Sequence, residues 1–197
     1  QYDPRTLPSA KLGKPVPSFY LPILGQDKAP AFTPKSMHGQ VWVLNVFASW
    51  CAACVQEASS LILFKQQNSV PLIGLAYKDA PVDTQQWLAK FGNPYQQVVT
   101  DMAGNVGIDL GVYGVPETYV IDAQGIIRYR HVGPVDNQFY QQHVLPIINA
   151  QTSLKRAMLA PSNSAAAVKQ TAPRLKILTD AEIEARVKAL AEELRCL

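Results

Sequence analysis

Two cysteines three residues apart constrain this chain most, because of what precedes and follows them. Residues 41–47 (VWVLNVF) form a near-continuous apolar run, which predicts a strand buried on both faces. From Cys51 to Gln67, apolar residues recur at helical spacing. Cys51 and Cys54 therefore lie at the start of a helix that directly follows a buried strand. Such a unit is typical of a sheet covered by helices.

The position of this C-x-x-C motif favours redox chemistry. The first amides of a helix have no intrahelical partner and the helix dipole is positive there, so a thiolate at this point is stabilised. We expect Cys51 to be the exposed residue of the pair and the attacking thiolate. Cys54, one turn further along, is expected to close an intramolecular disulfide with it.

Other kinds of site compete with this interpretation. Two cysteines at this spacing can also be ordinary core residues. A zinc site needs about four ligands, whereas His38, His131 and His143 are scattered without paired spacing. A c-type haem site needs histidine directly after the second cysteine, and Val55 stands there. We therefore expect no metal and no cofactor.

Charge and glycine divide the 197 residues into two parts. Residues 1–150 carry ten Lys/Arg and ten Asp/Glu, so the formal net charge of +3 comes from residues 151–197. All 11 glycines lie in the first part. We predict one domain over 1–150 and a flexible linker, rich in Ala, Ser and Pro, over 151–178. A net charge of +3 is too small to indicate a nucleic-acid-binding surface, so nucleic acid is not an expected partner.

The last predicted element is a short amphipathic helix over 179–197. Thr179 and Glu182 have the spacing of a capping box. One apolar stripe at helical spacing follows, formed by Ile183, Val187, Leu190 and Leu194. This segment can be a helix that packs against its own domain, a disordered tail or a segment that meets a partner.

Strand and helix patterns alternate along the domain. The predicted strands are Val41–Phe47, Val70–Tyr77, Gln97–Thr100, Glu117–Ile121 and Ile126–Val132. The predicted helices are Cys51–Gln67, one capped by Asp83 and ended by Gly92, and one over 136–150 with a kink at Pro146. The last two strands form a hairpin through the turn at 122–125. This order predicts an α/β fold, a mixed β-sheet with helices on both faces.

Pro116 stands directly before the first hairpin strand, in the stretch GVPET at 114–118. In a thioredoxin-like architecture the loop at this point carries a cis-proline that packs against the C-x-x-C motif. A cis bond occurs in only ~5–6% of X-Pro bonds, and the alternative is an ordinary trans proline at a strand start. With the cysteine motif present, we predict that Pro116 is cis and that the neighbouring backbone pairs with a bound peptide.

Several stretches together resemble one family. They are GKPVPSFYL at 13–21, LNVFASWCAAC at 44–54, YKD at 77–79, GNPY at 92–95 and DLGVYGVPETYVIDAQGIIRYRHVG at 109–133. From about Lys11 to Ala150 the chain resembles the periplasmic thioredoxin-like reductases of cytochrome c maturation, the CcmG/DsbE type. The long stretch at 109–133 separates this family from generic thioredoxins. The dipeptide Ala52-Ala53 departs from the Pro-Thr of familiar members, which bears on the redox potential and not on the fold.

The resemblance implies a thioredoxin-like fold and a reducing role. Electrons would arrive from a membrane thiol transporter and leave to a disulfide in apocytochrome c or in a CcmH-type partner. Family members are tethered to the inner membrane by an N-terminal helix and face the periplasm. No stretch here approaches the ~20 apolar residues of a membrane helix, so we expect the anchor to have been removed from this chain.

The resemblance also suggests roles for residues around the motif. Asn45 occupies the place where ordinary thioredoxins carry a buried acid, and an amide cannot titrate. Glu117 is the first candidate to accept a proton instead, because burial beside two sulfurs would raise its pKa. Glu57, one helical turn after Cys54, is the alternative candidate. Trp50 is expected to shield the site and to shape contact with substrate.

A second resemblance concerns the end of the sequence. ALAEELRCL at 189–197 resembles the segment that leads into the L-R-C-x-x-C motif of CcmH-type partners, so that Cys196 would match the first cysteine of that motif. We predict that a Cys51–Cys196 mixed disulfide is accessible, because a tether raises the effective concentration of one thiol near the other. Two other functions stay open: a general periplasmic thiol reductase of the TlpA/ResA kind, and a binding module of a maturation complex.

Overall fold

The computed structural model describes residues 11–26 and 28–159, with side chains as far as Arg156. Residues 160–197 lie outside the described residues. They include most of the predicted linker, the predicted helix over 179–197 and Cys196. Among the residues that are described, no helix is both long and apolar enough to cross a membrane.

Five strands form one mixed sheet. They are β1 (Trp42–Phe47), β2 (Leu72–Tyr77), β3 (Gln97–Asp101), β4 (Glu117–Ile121) and β5 (Ile127–Val132). The spatial order is β3-β2-β1-β4-β5. β1 pairs parallel with β2 and antiparallel with β4, while β2–β3 is parallel and β4–β5 antiparallel. All five predicted strands and the hairpin are confirmed.

Helices pack on both sides of this sheet. They are α1 (Ala52–Gln67), α2 (Pro81–Phe91), α3 (Asn105–Leu110) and α4 (Leu145–Leu159), with a 3₁₀ turn at Pro34–Met37 and a π-helical turn at Tyr140–Val144. Alternate residues of β1 point to opposite faces. Val43 and Phe47 join an apolar layer that includes both cysteines and is covered by α1, α2 and α4. Leu44 and Val46 join the other layer, which α3 covers.

The start of α2 differs from the prediction. Asp83 does not cap this helix: Ala80 is the N-cap and Pro81 is the first helical residue. The fixed φ of proline suits the first helical position, where a missing N–H costs nothing. Asp83 lies in the first turn, where its charge favours the positive end of the helix dipole. Gly92 ends the helix as predicted, with φ +92°.

The last helix also differs from the prediction. The segment predicted as one helix over 136–150 contains the π-helical turn, and the regular helix begins at Leu145. Pro146 is its second residue. Proline has no backbone N–H to donate to the preceding turn, and that turn is the irregular one. The helix continues to Leu159, so residues 151–159, which the sequence assigned to the linker, are helical.

The short helix α3 was not predicted. Its six residues lie between Gly104 and Gly111, which both have left-handed φ values of +75° and +77°. A helix of this length gives too few turns for a periodic apolar pattern to be recognised. It packs Val106 and Leu110 into the layer on the far side of the sheet from the cysteines.

Candidate active site

The two cysteines are joined in a disulfide at the start of α1. Cys51 is the N-cap residue, with extended backbone, and Cys54 lies in the first turn. The Cα atoms are 5.4 Å apart. Cys51 is 6% exposed and Cys54 fully buried, so the prediction of an exposed Cys51 is wrong in this oxidised form. Cys51 is still the more accessible of the two residues.

The helix start provides the polar environment that a thiolate needs. The backbone N–H of Cys54 donates to Sγ of Cys51 at 3.1 Å. The first turn of α1 carries no acidic side chain to oppose the positive end of the dipole. After reduction, the same amide and dipole would favour the ionised form of the Cys51 thiol. The pair is therefore built for thiol–disulfide chemistry at its first residue.

A proline segment faces Cys51. The Val115–Pro116 peptide bond is cis, as predicted. The carbonyl oxygen of Val115 lies 3.4 Å from Sγ of Cys51. The carbonyl of Pro116 accepts from the backbone N–H of Gly133 at 2.9 Å, which ties the segment to the end of β5. A backbone carbonyl of the proline segment therefore borders the disulfide at Cys51.

The loop between β1 and α1 is tied to the end of β2. Asp79 accepts from the backbone N–H of Ser49 at 2.8 Å, from its hydroxyl at 2.6 Å and from the hydroxyl of Thr84 at 2.8 Å. The indole N–H of Trp50 donates to the carbonyl of Lys78 at 3.1 Å. The Trp50 side chain is 59% exposed. It therefore presents an apolar surface to solvent next to Cys51 in the chain.

A buried polar network lies one helical turn below the disulfide. Glu57 is 1% exposed. Its Oε1 accepts from Nδ2 of Asn45 at 2.9 Å, and its Oε2 accepts from the backbone N–H of Val135 at 3.0 Å. Burial raises the pKa of Glu57 to about 7, although both hydrogen bonds act in the opposite direction. Glu57 thus titrates near neutral pH on the cysteine side of the sheet.

Glu117 has a different environment from the one predicted. It pairs with Val46 in the β1–β4 register, whereas its neighbour Thr118 pairs with Asn45 and receives a hydrogen bond from it. Because successive strand residues alternate, the side chain of Glu117 enters the layer away from the cysteines. There Arg130 donates to both carboxylate oxygens at 2.9 Å. Glu57, and not Glu117, therefore lies on the same side of the sheet as the cysteines.

Sequence reasoning missed several members of these networks. Tyr95 donates its hydroxyl proton to Oδ1 of Asn45 at 2.7 Å. Arg130 also donates to the carbonyl of Gly111 at 3.0 Å. Asp79 had one usable signal, its place directly after the carboxyl end of a parallel strand. Tyr95 and Arg130 have no periodic or spacing signal, because their partners lie far away in the sequence.

The described residues offer no metal site. Within 11–26 and 28–159, no group of three or more His, Cys, Asp or Glu side chains could hold a metal ion. The ring centroids of His131 and His143 lie 6.5 Å and 4.0 Å from that of Tyr129, and the His143 ring stacks on it. The Tyr129 hydroxyl also hydrogen-bonds with Nε2 of His143 at 3.2 Å, so these rings are occupied with one another, and the chemistry of the described site lies with the two sulfurs.

Comparison with known proteins agrees with this geometry. The Redoxin family matches residues 11–144. A thiol:disulfide interchange protein DsbE of Allochromatium vinosum is 41% identical over 148 residues, covering 75% of this chain and 81% of that protein. The DsbE of Pseudomonas aeruginosa is 42% identical over 145 residues, covering 74% and 79% respectively.

Solved structures support the fold. The crystal structure of a putative thiol:disulfide interchange protein DsbE from Chlorobium tepidum superposes with a TM-score of 0.58 at 24% identity, covering 71% of this chain and 96% of that one. The mixed sheet, the helix that begins at the cysteine pair and the cis-proline are thus parts of a thioredoxin-like fold. The chain is a thiol:disulfide oxidoreductase and belongs to the DsbE family of thiol:disulfide interchange proteins.

Proposed function

We propose that this oxidoreductase acts as a reductant in cytochrome c biogenesis. Its substrate would be a disulfide in apocytochrome c or in a CcmH-type partner, and its electrons would come from a membrane thiol transporter on the periplasmic side of the inner membrane. The observation that carries the proposal is the segment 111–116, in which the carbonyl oxygen of Val115 lies 3.4 Å from Sγ of Cys51. This segment belongs to the stretch at 109–133 that resembles the cytochrome c maturation reductases.

The proposed exchange runs through Cys51. Its thiolate attacks one sulfur of the substrate disulfide, the substrate S–S bond breaks, and the other substrate sulfur leaves as a thiolate. Cys54 then loses its proton and attacks Sγ of Cys51. The second substrate thiolate leaves, and the Cys51–Cys54 disulfide remains. Two electrons pass to the substrate, and its two thiolates take up protons.

We assign the proton of Cys54 to Glu57. Both residues lie on α1, one turn apart and buried on the same side of the sheet. A carboxyl group with a pKa near 7 is half ionised at neutral pH, so it can accept and return a proton with little driving force in either direction. Glu117 keeps a positioning role, because its carboxylate holds Arg130 and the backbone N–H of Tyr113 at 3.1 Å.

Substrate contact is assigned to Trp50 and to the backbone before Pro116. An exposed indole beside the disulfide offers apolar area for a substrate side chain. The backbone near Val115 offers hydrogen-bonding groups to a peptide that lies alongside it. A short extended segment that carries its disulfide between these two surfaces would fit this arrangement.

The test uses the reduced protein and two oxidised peptides. One carries a C-x-x-C-His haem-binding segment, and the other carries the same residues in scrambled order around the same disulfide. Thiol alkylation followed by mass measurement gives the rate of reduction. We expect faster reduction of the haem-binding peptide; equal rates would favour a general thiol reductase. If cells that carry Cys51→Ser retain cytochrome c maturation, the protein is instead a binding module.

We also propose that Cys196 can form a mixed disulfide with Cys51, within one chain or between two chains. The basis is the resemblance of residues 189–197 to the segment before the partner's first cysteine. A peptide map under non-reducing, oxidising conditions tests it, with Cys54→Ser to prevent release of the mixed disulfide. A Cys51–Cys196 linkage is expected, and Cys196 found only as a free thiol would overturn the proposal.

A further inference from the structure

We propose that Tyr95 is a positioning residue that acts on Glu57 through Asn45. Its phenol fixes the orientation of the Asn45 amide, so that this amide presents a donor and not an acceptor to the Glu57 carboxylate. The inference rests on the proposed proton exchange by Glu57 and adds a second residue that controls it. Three elements contribute: the segment before β3, the central strand β1 and helix α1.

The contacts leave the amide one satisfied orientation while Glu57 is ionised. Oδ1 of Asn45 accepts the phenol proton of Tyr95 at 2.7 Å. Nδ2 donates to Oε1 of Glu57 at 2.9 Å and to Oγ1 of Thr118 at 3.0 Å. If the amide turned over, its oxygen would face the carboxylate, and this arrangement is satisfied only when Glu57 carries a proton. The hydroxyl of Tyr95 therefore favours the ionised form of Glu57.

The surroundings hold the Tyr95 ring in place. Tyr95 is 3% exposed, and its ring stacks on Phe47 with centroids 4.8 Å apart. Gly74 of β2 makes the approach possible, because a Cβ atom at that position would lie 2.8 Å from the Tyr95 ring. The backbone N–H of Tyr95 also donates to Oδ1 of Asn93 at 3.0 Å. The glycine in the middle of a buried strand is thus explained by the ring beside it.

Few titratable groups face Glu57. Tyr95 is one, and its pKa is raised well above the usual range by burial and by the charge of Glu57, so its hydroxyl keeps its proton. Cys54 lies on the same helix, and Asn45 and Thr118 do not titrate. Among the described residues, no Lys, Arg or His forms an ion pair with the Glu57 carboxylate. Its ionisation therefore depends on burial and on the donors from Asn45 and Val135.

The test removes one oxygen atom with Tyr95→Phe, in the full chain. Without the phenol, Oδ1 of Asn45 is buried without its partner, and the turned amide favours protonated Glu57. We expect the pKa of the Glu57 carboxyl, followed by its ¹³C chemical shift, to rise by about one unit. The pH profile of thiol–disulfide exchange should move in the same direction. Tyr129→Phe is the matched control, since it removes a hydroxyl that bonds to His143 and not to this network.

Two outcomes separate this inference from the proposed function. If Glu57→Gln abolishes the pH step in exchange but Tyr95→Phe leaves the Glu57 pKa unchanged, Tyr95 does not position Glu57 and the inference is overturned alone. If the pH step persists in Glu57→Gln, Glu57 does not exchange the proton. The ¹³C titration of Tyr95→Phe still decides in that case whether Tyr95 controls the ionisation of Glu57.

Discussion

Replacing Arg130 with methionine should destabilise the folded chain far more than replacing Arg128 with methionine. Arg130 is 8% exposed and pairs with Glu117, which is fully buried. Arg130→Met leaves that carboxylate with donors from Tyr113 and Tyr119 but without a counter-charge. Leaving one member of a buried pair uncompensated costs about 3–5 kcal/mol.

The matched control is Arg128→Met on the same strand. Arg128 pairs with the buried Asp122 at 2.6 Å, but its own side chain is 47% exposed. Two backbone N–H groups also donate to Asp122 at 2.9 Å and remain after the change. Water screens an exposed pair, so the expected loss is about 1 kcal/mol or less.

Urea unfolding measures both variants, and thermal unfolding gives a second value. For a domain of this size each kcal/mol lowers Tm by about 2–4 °C, so Arg130→Met should lose at least ~6 °C. Adding Glu117→Gln to Arg130→Met removes the stranded charge and should recover part of the loss. If Arg130→Met lowers the free energy of unfolding no more than Arg128→Met does, the buried Arg130–Glu117 pair does not hold the segment before Pro116.

Two further predictions concern the site itself. The pKa of Glu57 is about 7 in the folded chain and 4.5 ordinarily, so the folded state binds the extra proton and stability falls as pH rises through 7. Glu57→Gln should remove about 3 kcal/mol of pH-dependent unfolding free energy between pH 4 and 8. Urea unfolding at several pH values measures this, and the same dependence of the unfolding free energy on pH in Glu57→Gln and in the unchanged chain would count against the assignment. Trp50→Ala, an exposed position, should change stability by under ~0.5 kcal/mol. It should raise KM for a peptide disulfide and leave the rate with dithiothreitol unchanged; equal KM values would remove Trp50 from the substrate surface.

The strands could be predicted because burial on both faces leaves long apolar runs in the sequence. β1 and β2 are fully buried along nearly their whole length, and both stand out on that basis. The six residues of α3 could not be predicted in the same way, since the flanking glycines set its ends and no repeat marks its interior. The extension of α4 to Leu159 was hidden by a composition that suits a linker as well as a helix.

The site shows a similar division between local and distant contacts. The place of Cys51 and Cys54 follows from a strand, a turn and a helix that are adjacent in sequence. The choice between Glu57 and Glu117 does not, because it depends on which face of β4 carries the side chain. Pairing of Glu117 with Val46 decides that face, and the two residues are far apart in the chain. Tyr95 meets Asn45 in the same way, across 50 residues of sequence.

Trapping the exchange intermediate tests the central claim most directly. The reduced Cys54→Ser and Cys51→Ser variants, each also carrying Cys196→Ser so that one thiol remains, are mixed with an oxidised peptide that carries the C-x-x-C-His segment, and covalent adducts are measured by intact mass. If Cys51 is the nucleophile, Cys54→Ser accumulates a mixed disulfide through Cys51, and Cys51→Ser forms none. An adduct that accumulates on Cys54 in Cys51→Ser, with none on Cys51 in the other variant, would contradict the assignment of the attacking sulfur.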